Sequence, residues 1–80
     1  MKLAAERKFP VRVDIPVPPE GFGNRLNEME AWCRANFQAD EWAHHSHSEK
    51  QPGQIAKHYA RFYFLIEPDA DLFRWKWLKQ

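Results

Sequence analysis

Three histidines fall within four positions of the stretch "EWAHHSHSEK", residues 41 to 50, and Glu49 follows them. Imidazoles and a carboxylate at such spacing are ligand types for zinc, which takes four donors in structural sites and three plus water in catalytic ones. On an extended strand His45 and His47 project to one side about 7 Å apart, with Glu49 next on that side. His44 points the opposite way. His58 shares its parity with Phe62 and so lies on the side away from His45 and His47. Two histidines and one carboxylate make an incomplete donor set, so neither a metal nor another cofactor is expected.

The nucleophiles fare no better. Cys33 falls on the apolar stripe of a helical segment, where a buried thiol behaves as a small hydrophobe. Ser46 and Ser48 are flanked by histidines, but adjacent strand residues point to opposite faces and cannot form a dyad with them. Asp69 and Asp71 are accounted for by a helix start, with Asp69 as N-cap. The segment "EGFGN" matches neither the phosphate loop nor the dinucleotide pattern. A non-enzymatic protein is expected.

These side chains must be positioned by the elements around them. Residues 7 to 17, "RKFPVRVDIPV", alternate with period two, which predicts a half-buried strand with Phe9, Val11, Val13, Ile15 and Val17 on one side. Pro10 and Pro16 suit an edge strand, since neither donates to a ladder. "PPEGFG" then turns the chain. Residues 24 to 37 carry Leu26, Met29, Cys33 and Phe37 at helical spacing, with Trp32 flanking them and Asn24 as the expected N-cap. Residues 41 to 49 and 56 to 67 read as two strands joined at the Pro-Gly turn in "KQPGQ". "EPDADLFRWKWLKQ" closes the chain as a helix, with Ala70, Phe73 and Trp77 on one face and Leu72 and Trp75 away from it.

The expected architecture is therefore α+β, in the order β-α-β-β-α, as a three-stranded sheet with two helices packed on one face. Helices on one face leave the other open. Parity places Arg12, Tyr59, Arg61 and Tyr63 there, and with Trp42 turned into the core, His45 and His47 join them. Such a face admits three readings. It is a wet sheet surface stabilised by cross-strand pairs; or a protein-binding or homodimer interface with Tyr and Arg anchors; or a single-stranded nucleic-acid site with bases on tyrosines and phosphates on arginines. Trp75, between Arg74 and Lys76, is the tryptophan expected at an interface.

Bulk properties bound these readings. At 80 residues the chain is expected to form a single domain, 1–80, too small to enclose a large cofactor. A net charge of +1 supplies no global basic field for nucleic acid, so any such site must be a local patch. One cysteine allows no intrachain disulfide and suits a reducing compartment. The start "MKLAAERKF" lacks the apolar run of a signal peptide, and no segment is long and apolar enough to span a membrane, so a soluble cytoplasmic protein is expected.

The ending "ARFYFLIEPDADLFRWKW", an aromatic strand running into an Asp-Ala helix start, resembles the tails of small accessory proteins encoded by phages and prophages. "EMEAWCRANF" resembles their first helix. The resemblance covers the last quarter of the chain and that helix, and it carries no site residue with it. It implies a phage-type protein acting in the host cytoplasm. Such proteins include the anti-CRISPR inhibitors, non-enzymatic proteins that occupy a host complex such as a CRISPR effector. Binding is then expected to rest on the open sheet face and the nearby helix end, with Tyr59, Arg61 and Tyr63 as anchors and Arg12, His45, His47 and Trp75 around them. The alternative is a small nucleic-acid-binding module on the same sheet face.

Overall fold

The computed structural model describes residues 4–78. The central feature is the segment Lys57–Phe64, whose residues Ala60 to Phe64 are buried on both faces. A strand so apolar belongs in the middle of a sheet, and there it lies. Numbered along the chain, the elements are α1 (Ala4–Lys8), β1 (Val11–Pro16), α2 (Arg25–Asn36), β2 (Trp42–Glu49), β3 (Lys57–Phe64) and α3 (Glu67–Trp77). The sheet order is β1-β3-β2 and both pairings are antiparallel. The chain thus has the small α+β fold in the order β-α-β-β-α, with one short helix added in front.

β1 occupies an edge, as its prolines require. It starts later than the alternation suggests, because Arg7 and Lys8 belong to α1. Pro10 is the reason. It disfavours helical backbone at the residue before it, so α1 stops at Lys8 and the parity of the strand does not extend back through Phe9. Phe9 therefore packs on the opposite side of the sheet from Val13 and Ile15, against Ala5 and Tyr63.

β2 and β3 are joined by a turn in which Gln54 N–H donates to Gln51 C=O at 3.0 Å. Pro52 supplies the preset φ of the first central position and Gly53, at φ 77°, the left-handed second one. The hairpin register runs from Trp42↔Phe64 to Glu49↔Lys57 without a break.

The main core lies between the sheet and the two long helices. Val13, Ile15, Ala60, Phe62 and Phe64 meet Met29 and Cys33 of α2 and Ala70 and Phe73 of α3. Phe73 is the keystone, with ring centroids 4.6 Å from Phe62 and 5.4 Å from Phe64. Trp32, Trp42 and Trp77 are half-buried around this cluster.

Two caps differ from expectation. Asn24 is helical in backbone and its side chain makes no capping bond; its carbonyl instead accepts the Glu28 N–H. α3 begins two residues before Asp69, with Ile66 as N-cap and Pro68 in the first turn, which places Asp69 inside the helix. Proline favours the first turn because its missing N–H would have no partner there. Burial, with Glu41 nearby, raises the Asp69 carboxyl above its ordinary value. The expected continuation of this helix through residues 79–80 lies outside the described residues.

Candidate functional site

The sheet face opposite α2 and α3 is built from three cross-strand rows. Arg12, Tyr63 and Ala43 form one; Asp14, Arg61 and His45 the next; Pro16, Tyr59 and His47 the third. Parity alone anticipated which residues share this face. It did not anticipate their exposure.

Tyr63 is only 1% exposed. α1 folds back across this end of the sheet, and Phe9, Ala5, Leu65 and Ala43 close over the tyrosine ring. The Phe9 and Tyr63 rings stand 6.4 Å apart. Arg61 is 5% exposed. Its Nε and Nη2 donate to the two carboxylate oxygens of Asp14 at 2.6 and 2.9 Å, a fork-to-fork geometry. The hydrogen bond from Arg61 holds the Asp14 carboxyl below its ordinary value, against the opposing effect of burial. The same contact pushes the guanidinium further up, so both groups stay charged. Two of the three expected anchors are thus structural. Asp14 was the missed residue, although its place directly opposite Arg61 in the same row follows once β1 is known to pair with β3.

The remaining members of the face are more open. Arg12 and His45 are exposed, while Tyr59 and His47 are half-buried. His47 stands beside Tyr59, with ring centroids 6.1 Å apart, and its Nε2 lies 3.0 Å from Glu49 Oε1. The H-x-E spacing on one strand face therefore does bring the two groups together. Among the described residues no group of three or more His, Cys, Asp or Glu is placed to hold a metal.

His44 faces the core side, as parity requires. Its ring stacks on Phe62 at 4.8 Å, its Nδ1 lies 3.6 Å from Glu30 Oε1, and its Nε2 is buried with no hydrogen-bond partner among the described residues. Burial lowers its pKa; Glu30 works in the opposite direction and His45 in the same one. His44 is accordingly a neutral aromatic spacer at pH 7. A cleft of about 480 Å³ opens beside it, between β2 and the end of α2, with Glu30, Arg34, Phe37 and Trp42 in its walls.

Ser48 meets a histidine after all. His58 Nδ1 lies 2.8 Å from Ser48 Oγ across the hairpin, where the two residues are register partners. A strand residue touches its cross-strand partner rather than the residue beside it. Among the described residues no carboxylate is hydrogen-bonded to this imidazole, and a serine–histidine pair needs a third group to orient the base. Cys33 is buried in the main core, and desolvation pushes its thiol up to about 12, the reverse of what a nucleophile needs.

A stripe of exposed apolar side chains lies along α3 and its C-cap Leu78. Ala70, Phe73 and Trp77 anchor its inner side. Leu72, Trp75 and Leu78, spaced three apart, run along its outer side at 45%, 64% and 46% exposure. Both Leu72 and Trp75 are therefore exposed, and Leu78 extends the stripe, which the spacing alone could have shown. Arg74 beside it is held by Asp71 at 2.8 Å and Glu67 at 3.3 Å. No helix is long and apolar enough to cross a membrane among the described residues. Compared with known proteins, the chain matches no family model, no curated protein and no solved structure.

Proposed function

We propose that this chain is a small non-enzymatic binding protein that acts by occupying the surface of a protein partner in the cytoplasm. The observation that supports this is the outer stripe of α3, where Trp75 stands open between Leu72 and Leu78 on a helix anchored from its other side. A rigidly held helix presenting large apolar side chains at helical spacing fits an apolar groove, and tryptophan is prominent among interface hot spots. Lys76 flanks the stripe and suits a partner groove with an acidic rim, while Arg74 is already paired with Asp71 and Glu67.

The sharpest form of this reading is inhibition of a CRISPR effector, which rests on the phage-type resemblance of the C-terminal segment. The test is a phage plaquing assay in bacterial strains whose CRISPR effectors target that phage. The chain restores plaquing on one effector class, and Trp75→Ser lowers the restoration by about tenfold or more while its circular dichroism stays native. Restoration by neither form removes the inhibitor reading. Equal restoration by both moves the binding surface away from α3.

The second reading, a nucleic-acid-binding module, draws on Arg12, Tyr59, His45 and His47. Arg61 contributes little to it, because Asp14 already neutralises the guanidinium. Gel shifts with single-stranded DNA and RNA at low and high salt test it. Binding that falls steeply with salt supports it and displaces the protein-partner reading.

A further inference from the structure

The two edges of this sheet are unlike. β1 ends in Pro16 and is preceded by Pro10, neither of which has an N–H to offer a neighbouring strand. β2 carries no proline, lysine or arginine over Trp42–Glu49, and its unbroken register contains no bulge to turn it aside. Four of its last five residues are exposed.

Its hydrogen-bonding capacity can be assigned residue by residue. In an antiparallel ladder, alternate residues turn their backbone groups to one neighbour and then to the other. Val17 N–H donates to His58 C=O at 3.0 Å, one step beyond the Pro16↔Tyr59 pair, so the even-numbered residues of β3 serve β1 and the odd-numbered ones serve β2. Their partners Ala43, His45, His47 and Glu49 are thereby bonded to β3. The backbone groups of Trp42, His44, Ser46 and Ser48 point outward.

We propose that β2 pairs antiparallel with β2 of a second copy of this chain, about a two-fold axis at Ser46, making one continuous sheet. Parity supplies the first argument. An axis normal to the sheet keeps both helix layers on one side and pairs residues of like parity, so the outward-pointing groups of the two copies meet each other. Charge supplies the second. An axis at Ser46 sets Trp42 against Lys50 of the second copy, indole against ammonium, and sets Ala43 against Glu49. An axis one residue earlier, at His45, would set Glu41 against Glu49. Space supplies the third: the cleft beside Trp42 and His44 gives the Lys50 side chain of the second copy room on the helix side of the sheet. This surface is separate from the outer stripe of α3, which packs over β1 and β3.

Sedimentation velocity of the full chain, run to sub-millimolar concentration, tests the pairing. Wild type should show a monomer–dimer equilibrium. Ser46→Pro removes an outward N–H and leaves the β3 ladder complete. By symmetry it takes two hydrogen bonds from the interface, weakening the dimer about thirtyfold. Ser46→Lys sets two ammonium groups face to face and weakens the dimer without touching the backbone. Trp75→Ser should leave it intact, which separates this result from the plaquing assay. A wild type that stays monomeric throughout overturns the proposal, as does a dimer that survives both Ser46 substitutions or one that Trp75→Ser dissolves.

Discussion

Replacing Asp14 with alanine tests how far the Asp14–Arg61 pair stabilises this sheet face. The substitution leaves the guanidinium of Arg61, whose side chain is 6% exposed, without two charge-assisted hydrogen bonds of 2.6 and 2.9 Å. Removing one partner of a fully buried ion pair costs about 3–5 kcal/mol. The Asp14 side chain is 33% exposed, so water can replace part of the lost carboxylate, and the expected cost falls to about 2 kcal/mol. For a domain of this size that corresponds to a Tm lower by about 8–16 °C. Urea denaturation followed by tryptophan fluorescence at pH 7 reads it, with an unchanged m-value as the check on two-state behaviour. The double variant Asp14→Ala with Arg61→Met removes both charges and should recover to within about 1 kcal/mol of wild type; measured beside Asp14→Ala and Arg61→Met alone, it gives a coupling energy of at least about 1 kcal/mol. The pair also has a pH signature. The folded-state pKa of Asp14 lies below its ordinary 3.8, so its contribution is complete above that value and is lost as pH falls through the folded pKa. Asp14→Ala should flatten stability in that acid window. An Asp14→Ala cost under about 0.5 kcal/mol, or single-variant costs that simply add in the double variant, would refute the reasoning.

Three further outcomes are expected. His44→Phe replaces a buried ring nitrogen that has no partner with a ring of similar shape, and should stabilise the fold by about 1 kcal/mol. The folded pKa of His44 lies below 6.5, so wild-type stability declines as pH falls through 6.5 towards that lower value; an identical slope in His44→Phe, measured by denaturation at several pH values, would contradict this. Cys33, with its thiol pushed up to about 12, should resist alkylation by iodoacetamide at pH 8 in the native state and react in urea, as followed by mass spectrometry. Phe9→Ala should cost about 3 kcal/mol by uncovering Tyr63, a loss readable as a shift in the urea midpoint; a cost below about 1 kcal/mol would mean that α1 is not packed on the sheet.

Local pattern decided much about this protein. Period-two alternation marked β1 and β3, helical spacing marked the buried faces of α2 and α3, and the Pro-Gly turn marked the hairpin, because each depends on contacts within a few residues along the chain. Parity likewise sorted His44 from His45 and His47, since side-chain direction on a strand is a property of the backbone itself. What the tertiary structure alone decided was which surfaces meet water. Arg61 and Tyr63 read as exposed from their parity, but Asp14 reaches Arg61 only because β1 pairs with β3, and Tyr63 is covered only because Pro10 frees Phe9 and α1 to fold over it. Ser48 and His58 meet through the hairpin register, and the outer stripe of α3 is open because the inner side takes the sheet. Burial depends on partners far away in the chain, and no local pattern encodes which partner arrives.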